Sequence, residues 1–434
     1  MGPEIHFERR TPKDGFLLCF EKRIAAASPS SIMNEGRISM KLTFAYDVVI
    51  EHLEGTEQYF HNYFDYTVWQ RYLSVFDTIE VISRQKEVDS GSRQNLKVSS
   101  GPEVTFLKAP SLSDPVSMIT KRKEVIEIIK KSLSTTDAMI VRLPSEIGPL
   151  AVEVAKSIGK PYAVEVVGHA WDALWNYGNW KGKVYAPIMT WKMKKTVKNA
   201  PFALYVTREF LQKHYPTKGH SINCSNVELP SLPKSILEDR KVVMDGNNDT
   251  IKIGLIGSMV SKYKGIDIAL QGLHLIKDEI SFEFRVIGEG NPTEWDELSR
   301  NLGIRNKVKF YSPVPSGEPI FKWLDDLDLY IQPSFQEGLP RALIEAMSRA
   351  LPAIGSDVGG IPELLSPDCV FKAGNAEELA SILLRMVRDR QKREKESEKN
   401  FKTALEYTNL ILNERRTTFW GEFSQFAESF KKVM

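Results

Sequence analysis

Cysteine is scarce in this chain of 434 residues: there are three, Cys19, Cys224 and Cys369, far apart and without any paired metal-ligand spacing. A disulfide framework and a zinc site are both disfavoured, and a reducing cytoplasm is the compartment that fits. Charge of one sign is lacking too, since 58 Lys and Arg stand against 56 Asp and Glu, a formal net charge of +2 that gives no reason to expect nucleic acid as a partner. No run of about 18 apolar residues occurs, which argues against a spanning helix. Residues 1–39 lack the basic start, apolar stretch and small-residue cleavage site of a secretory signal. Met40 leads at once into the strand-like run Lys41-Leu42-Thr43-Phe44-Ala45-Tyr46-Asp47, so residues 1–39 are expected to be an upstream extension, non-native to the fold.

What is present is the material of a globular protein, 42% apolar and 26% charged. A chain of this length suits two cores, because single cores stop growing near roughly 250 to 300 residues. From Met40 onward short apolar runs alternate with longer amphipathic segments, the pattern of βαβ units feeding a parallel sheet. The spacing predicts strands near 41–49, 77–83, 103–108, 137–142, 161–167 and 202–207, with a helix from Ile147 to Ile158 stopped by Gly159 and Pro161. The pattern breaks at Pro230, Ser231 and Pro233 and again at Asp245-Gly246-Asn247-Asn248-Asp249, so 231–250 reads as a linker between an α/β domain at 40–230 and a second at 251–404. Strands of the second are expected near 251–257, 282–287, 307–311, 328–332 and 352–355. The charged stretch 386–400 reads as a solvated helix face. Both domains are Rossmann-like in pattern.

The most informative segment runs from Pro333 through Ser334, Glu337, Gly338, Leu339, Pro340 and Arg341 to Glu345 and Met347. It closes a strand and opens a helix. Gly338 lets backbone approach a ligand, Pro340 suits a helix start, and free N–H groups there favour an anion such as a diphosphate. Glu337 in the loop and Glu345 about two turns along the helix could accept from different hydroxyls of one extended ligand. The plainer reading makes Glu337 a cap and Glu345 an ordinary helix residue, and these two residues alone leave both open.

In combination these residues resemble glycosyltransferase family 4, the retaining glycosyl transferases of group 1 with the GT-B fold, of the bacterial surface-polysaccharide type. The Glu337–Glu345 spacing matches the family's signature, and Gly257, Lys264-Gly265, Gly288-Glu289-Gly290, Val308-Lys309-Phe310 and Pro352 to Glu363 fall in the family's order from about 251 to 375. The resemblance implies two Rossmann-like domains facing across a cleft, with the tail from 405 to 434 crossing back to the first. It implies that Lys264 meets the donor diphosphate, with the Gly257 turn and the amides of Gly338 and Leu339 on neighbouring oxygens. Glu345 would take the ribose hydroxyls, Glu337 would sit at the donor sugar near the reacting carbon, and the base would lie against Gly288 and Val314. The donor is expected to be a nucleoside diphosphate sugar, UDP being favoured by family frequency, with no metal and no permanently bound cofactor. One departure matters: Ser258 stands where the family often has arginine. Lys262 either replaces the missing charge or is a solvated loop lysine.

In the first domain His169 follows a strand at a place where the family often has a histidine near the donor sugar, though a loop histidine beside tryptophans can be purely structural. Trp171, Trp175, Tyr177 and Trp180 could stack on an acceptor sugar or build the domain edge. Asp326 and Asp328 spell a metal-binding Asp-x-Asp, a reading set aside because no further ligand stands nearby, and Gly288-Glu289-Gly290 does not complete a dinucleotide fingerprint. The basic apolar segment 184–198 could rest on an anionic bilayer or pack on its own domain. The expected activity is sugar transfer to a hydroxyl of a glycan or lipid-linked acceptor, with retention, in the cytoplasm, either free or at the inner face of the membrane. A sugar phosphorylase, a nucleotide-sugar epimerase and an inactive sugar-nucleotide-binding subunit are the alternatives.

Overall fold

The computed structural model of this protein describes residues 39–89, 96–175, 180–245 and 250–431. The expectation for 1–39 therefore falls, Ser39 apart, outside the described residues, as do Cys19, Tyr177 and Gly246 to Asp249. Two parallel sheets form the chain from Met40 onward. The first contains β1 (Lys41–Leu53), β3 (Thr78–Val88), β4 (Val104–Lys108), β5 (Ala138–Leu143), β6 (Tyr162–Val166), β7 (Phe202–Tyr205) and β8 (His220–Asn223) in the order β4-β3-β1-β5-β6-β7-β8, with the short β2 (Tyr59–Phe60) antiparallel to β1. The second contains β9 (Ile251–Ile256), β10 (Phe282–Ile287), β11 (Val308–Tyr311), β12 (Leu329–Gln332), β13 (Ala353–Ser356) and β14 (Val370–Phe371) in the order β11-β10-β9-β12-β13-β14. These are the runs whose apolar pattern predicts strands, and central strands such as β5 and β12 are apolar on both faces because helices cover both sides of a parallel sheet. The short strands β2, β8 and β14 carry too little pattern to be read in sequence. In each sheet the strand order turns about its first strand, β1 or β9, and ligand crevices form beyond the carboxyl ends of strands at such a point.

At the first of these points the strand itself supplies an anion. The register between β1 and β3 shifts between Ala45 and Val49, and the Asp47 carboxylate inside that irregularity accepts from the amides of Glu146 and Ile147, at the start of the helix Ile147–Ser157. A negative side chain at a helix N-terminus satisfies donors that would otherwise lack partners.

The chain passes between the halves twice, and the two passages lie side by side: the Leu229 amide donates to the Tyr407 carbonyl at 2.9 Å and the Asn409 amide to the Leu229 carbonyl at 2.8 Å. The last helix, Asn409–Lys431, lies on the first half. Phe202 of β7 packs its ring against Phe419, Phe423 and Phe426 at 5.3–5.6 Å, while the buried Arg416 guanidinium donates to Glu228 and to the Ser225 carbonyl, both at 2.8 Å. Within the stretch read as a linker, Ser235–Asp245 is helical. It is fastened to the second half by Arg240, which donates to the carbonyls of Leu324, Leu327 and Arg349. Flanking Pro and Gly conceal this helix in sequence, since its anchor is one cation with remote acceptors. The charged helix Arg390–Leu405 is likewise more than a solvated face. Ser397 donates to the Ala350 carbonyl at 2.6 Å, Asn400 to that of Leu351 at 2.8 Å, and Phe401 is buried beside them.

A third tie joins the halves at the cleft. The Glu363 carboxylate, on the second half, accepts from the amides of Arg208 at 2.6 Å and Glu209 at 3.0 Å, and from that of Phe210, all on the first half. Three donors converging on one carboxylate make a charge-assisted clasp across the cleft. Glu363→Ala is expected to speed hydrogen exchange at the 208–210 amides by about tenfold or more while leaving β6 unchanged. Unaltered exchange at 208–210 would show that Glu363 does not hold the two halves together.

Candidate functional site

Four loops of the second half meet beyond the carboxyl ends of β9, β10, β12 and β13, and they meet at backbone distance. Gly265 sits in the left-handed region at φ +69°, and a Cβ there would stand 1.9 Å from the Pro333 carbonyl oxygen. Gly288 is as constrained, with the Gly257 carbonyl oxygen 2.0 Å from where its Cβ would be. Side chains at these positions would force the loops apart. Their closeness puts Lys264, after the Gly257 turn, beside Glu337, after β12: Nζ lies 2.7 Å from Oε1. The same Oε1 accepts from Ser334 Oγ at 2.8 Å and from Gln332 Nε2 at 3.1 Å.

The helix that follows is Arg341–Ser348, with Pro340 as its N-cap rather than its first helical residue. Among the described residues the amides of Gly338 and Leu339 have no acceptor. They are therefore donors available to an anion at the head of this helix. Glu345 is 8% exposed, and burial pushes its carboxyl above the usual carboxylate range against the pull of Arg341. Gly288 and Val314 follow β10 and β11, whose ends are joined by the Gly288 amide donating to the Tyr311 carbonyl at 3.2 Å. Val314 is exposed there.

Lys262, weighed as a second cation, is paired elsewhere in this structure. Its ammonium pairs with Glu294 at 2.6 Å and is largely exposed, so it is drawn to a neighbouring helix and away from the Lys264–Glu337 pair. Ser258 Oγ accepts from the Val260 amide at 3.3 Å. The two aspartates set aside as metal ligands lie at the opposite, amino-terminal edge of β12. Asp326 pairs with Lys252 and Arg285, each at 2.5 Å, and Asp328 accepts from the Lys252 amide at 2.8 Å.

The first half meets this edge through the loop after β6. A Cβ on Gly338 would stand 3.1 Å from the Val167 carbonyl oxygen, so His169, two residues on, borders the glutamate loop. Its Nδ1 lies 2.8 Å from the Asp172 carboxylate, at ion-pair distance though out of hydrogen-bond alignment, and its ring packs edgewise on His214 with centroids 4.5 Å apart. Trp171 and Trp175 stack on one another at 5.0 Å, with Trp175 exposed.

Further along, the helix Trp180–Lys198 has two apolar faces on opposite sides. Ala186, Met189, Met193 and Val197 are buried. Trp180 (71% exposed), Val184 (64%), Ile188 (48%) and Trp191 (62%) form an outward stripe at i, i+4, i+8 and i+11. Lys181, Lys183, Lys194, Lys195 and Lys198 are exposed around that stripe, and 180–198 contains no acidic residue. The doubled face is why the segment shows no clean division of polar from apolar in sequence. Sequence reading gave no role to Gln332, Ser334 and Glu363, although Ser334 lies in the segment it singled out, Glu363 closes the run from Pro352, and Gln332 is one amide in an otherwise apolar strand.

Comparison with known proteins bears on this edge. A family profile described as "Glycosyl transferases group 1" matches residues 250–389. Protein CapJ of Staphylococcus aureus is 34% identical over 366 residues, covering 83% of this chain and 90% of CapJ. The amylovoran biosynthesis glycosyltransferase AmsK of Erwinia amylovora is 30% identical over 153 residues, 33% of this chain and 37% of AmsK. Among solved structures, HepE of Anabaena in complex with UDP superposes with a TM-score of 0.58 at 15% identity, over 91% of this chain and 100% of HepE. The lipopolysaccharide outer core galactosyltransferase WaaB gives 0.58 at 16% identity, over 88% and 99%. At such identities these two speak to the fold alone, two parallel-sheet α/β domains in the GT-B arrangement.

The raised carboxyl of Glu345 yields a prediction with a definite sign. Because its folded value lies above its unfolded one, its contribution falls as pH rises from the ordinary carboxylate value of 4.5 through the raised folded one, and the ionised form destabilises the fold above that window. Glu345→Gln should therefore raise the melting temperature of the ligand-free protein by roughly 2–4 °C at neutral pH, with no gain at low pH. An equal shift at both would assign the effect to packing.

Proposed function

We propose that this chain, which belongs to the group 1 glycosyl transferases, moves a sugar from a nucleoside diphosphate donor to a hydroxyl of a glycan or lipid-linked acceptor, with retention of configuration, in polysaccharide synthesis. The observation that carries the reading is the 2.7 Å Lys264–Glu337 pair set beside the unpartnered Gly338 and Leu339 amides and the buried Glu345 on one edge, with the His169 loop against it. An ammonium and free amides suit a diphosphate whose charge grows as its bond to the sugar breaks. Glu345 takes the ribose hydroxyls, and the nucleobase lies along Gly288 and Val314. Glu337 and His169 address the donor sugar.

In this reading the leaving phosphate oxygen takes the acceptor proton on the face where the new bond forms, so Glu337 orients and stabilises and does not attack. No metal is required, because Lys264 and the amides occupy the place where one would neutralise the diphosphate. The base is uracil: the resemblance favours it by family frequency, and HepE, one of the structural relatives, is described in complex with UDP. Trp171 and Trp175 offer a stacked aromatic surface to the acceptor. AmsK's description as an amylovoran biosynthesis enzyme supports the polysaccharide assignment.

Calorimetric titration with UDP, GDP, ADP and their sugar conjugates tests the donor site. One nucleotide should bind, about tenfold or more weaker in Lys264→Ala and Glu345→Ala. Glu337→Gln should lower turnover by roughly a hundredfold or more with donor affinity nearly unchanged. Binding of no nucleotide would overturn the donor site, and binding without transfer over a wide acceptor panel would leave a sugar-nucleotide-binding subunit.

The acceptor's lipid is the reason to place this enzyme at the cytoplasmic face of a membrane. No helix among the described residues is long and apolar enough to cross one, but the tryptophan and lysine stripe of Trp180–Lys198 suits the surface of an anionic bilayer, with aromatic rings at headgroup level and ammonium groups around them. The protein should sediment with phosphatidylglycerol vesicles at low salt and be released by high salt. A Trp180→Ser, Trp191→Ser double variant should lose most of that binding while keeping transfer to a soluble acceptor. Equal sedimentation of variant and wild type would remove this face from the reading.

A further inference from the structure

Gln332 is 1% exposed at the carboxyl end of β12, where an amide without partners would be strongly unfavourable. Its partners make a chain with one direction. The Ile256 amide, the last of β9, lies 3.3 Å from the Tyr330 hydroxyl oxygen, and a backbone N–H can only donate. The Tyr330 proton must then go to the next oxygen in line, Gln332 Oε1 at 2.8 Å. That turns the amide nitrogen toward Ser334 Oγ at 2.8 Å and Glu337 Oε1 at 3.1 Å. Having accepted from Gln332, the Ser334 hydroxyl donates its own proton to Glu337 Oε1 at 2.8 Å. The opposite amide orientation would set the Gln332 oxygen against a carboxylate oxygen and leave the buried Tyr330 proton without an acceptor. The chain thus ends with Gln332 and Ser334 both donating to one oxygen of Glu337. Among the described residues Oε2 has no partner.

We infer that Gln332 is a positioning residue which, with Ser334, holds Glu337 Oε1 so that Oε2 keeps its aim at the donor sugar once Lys264 turns to the diphosphate. The inference rests on the transferase reading above. In the ligand-free protein Lys264 supplies the third donor to Oε1, and an ammonium that must also meet phosphate cannot fix the carboxylate alone. Gln332 and Ser334 have no such second duty, since both are buried and lie behind Glu337 on its own strand and loop. The Tyr330 hydroxyl and the Ile256 amide choose which end of the Gln332 side chain faces forward.

The test compares wild type with Gln332→Met, Tyr330→Phe and Glu337→Gln, measuring kcat in transfer and, separately, UDP affinity by calorimetry. Methionine keeps the length of glutamine without a strong donor. Gln332→Met should lose about tenfold or more in kcat, as expected for one hydrogen bond to a charged group, with UDP affinity within about twofold of wild type. Tyr330→Phe, which frees the amide to turn over, should fall between the two. Wild-type kcat in Gln332→Met, alongside a strong loss in Glu337→Gln, would overturn the inference while leaving the transferase reading intact. Parallel loss of kcat, UDP affinity and melting temperature would overturn it as well, by making Gln332 a packing residue. Absence of transfer by the wild type itself would remove the reading on which it rests.

Discussion

The ion pair between Lys264 and Glu337, 2.7 Å apart, is the contact on which the proposed donor edge depends. Both side chains are mostly buried, so each needs the other: removing one partner of a buried pair leaves an uncompensated charge, which costs far more than an exposed pair is worth. The pair exists only because two loops can touch, and they touch because Gly265 accepts a left-handed conformation against the Pro333 carbonyl. Backbone geometry therefore precedes electrostatics here. A parallel sheet gathers the loops after its strands at one edge, glycine lets them close, and the charged side chains then lie within reach of one another.

The same order of causes joins the halves. Side-by-side passages at Leu229 and Thr408 give a narrow connection, and the last helix returns to the first sheet through aromatic packing and the Arg416 pair. Across the cleft the halves touch through Glu363 and the 208–210 amides. The loop leading to Glu363 is also tied to the donor edge, because the Gly360 amide donates to the Gly338 carbonyl at 2.7 Å. One short segment thus contacts both the first half and the glutamate loop, so displacement of either half bears directly on the backbone that carries Gly338.

Much of this was legible in sequence, and the division between what was and was not has a physical basis. Strands such as β5, β10 and β12 are short, mostly apolar or alternating runs, so their signal is local. Glu337, Gly338 and Glu345 lie within nine residues on one loop and helix, so their association needs no knowledge of the fold. The Glu363 clasp joins residues more than 150 positions apart through backbone amides, which carry no side-chain signature at all. The helix Ser235–Asp245 depends on Arg240 finding three remote carbonyls. Lys262 could be paired with Glu294 only after the loop and the neighbouring helix were placed.

That last residue bears on the charge of the donor edge. With Ser258 in place of an arginine and Lys262 occupied elsewhere, Lys264 is the cation the loops bring to Glu337, and its charge is already matched by that carboxylate. Arg341, the first residue of the following helix, is a further cation at this edge, where it pulls against the raised carboxyl of Glu345. In the proposed reading an incoming diphosphate is met by the Gly338 and Leu339 amides at the head of Arg341–Ser348, with Lys264 shared between phosphate and carboxylate. Fixed dipoles need no counter-ion and little reorganisation, but they hold the anion only if the loop bearing them is rigid. The buried relay from Ile256 through Tyr330, Gln332 and Ser334 to Glu337 lies immediately before those amides, so their aim depends on the hydrogen bonds behind them.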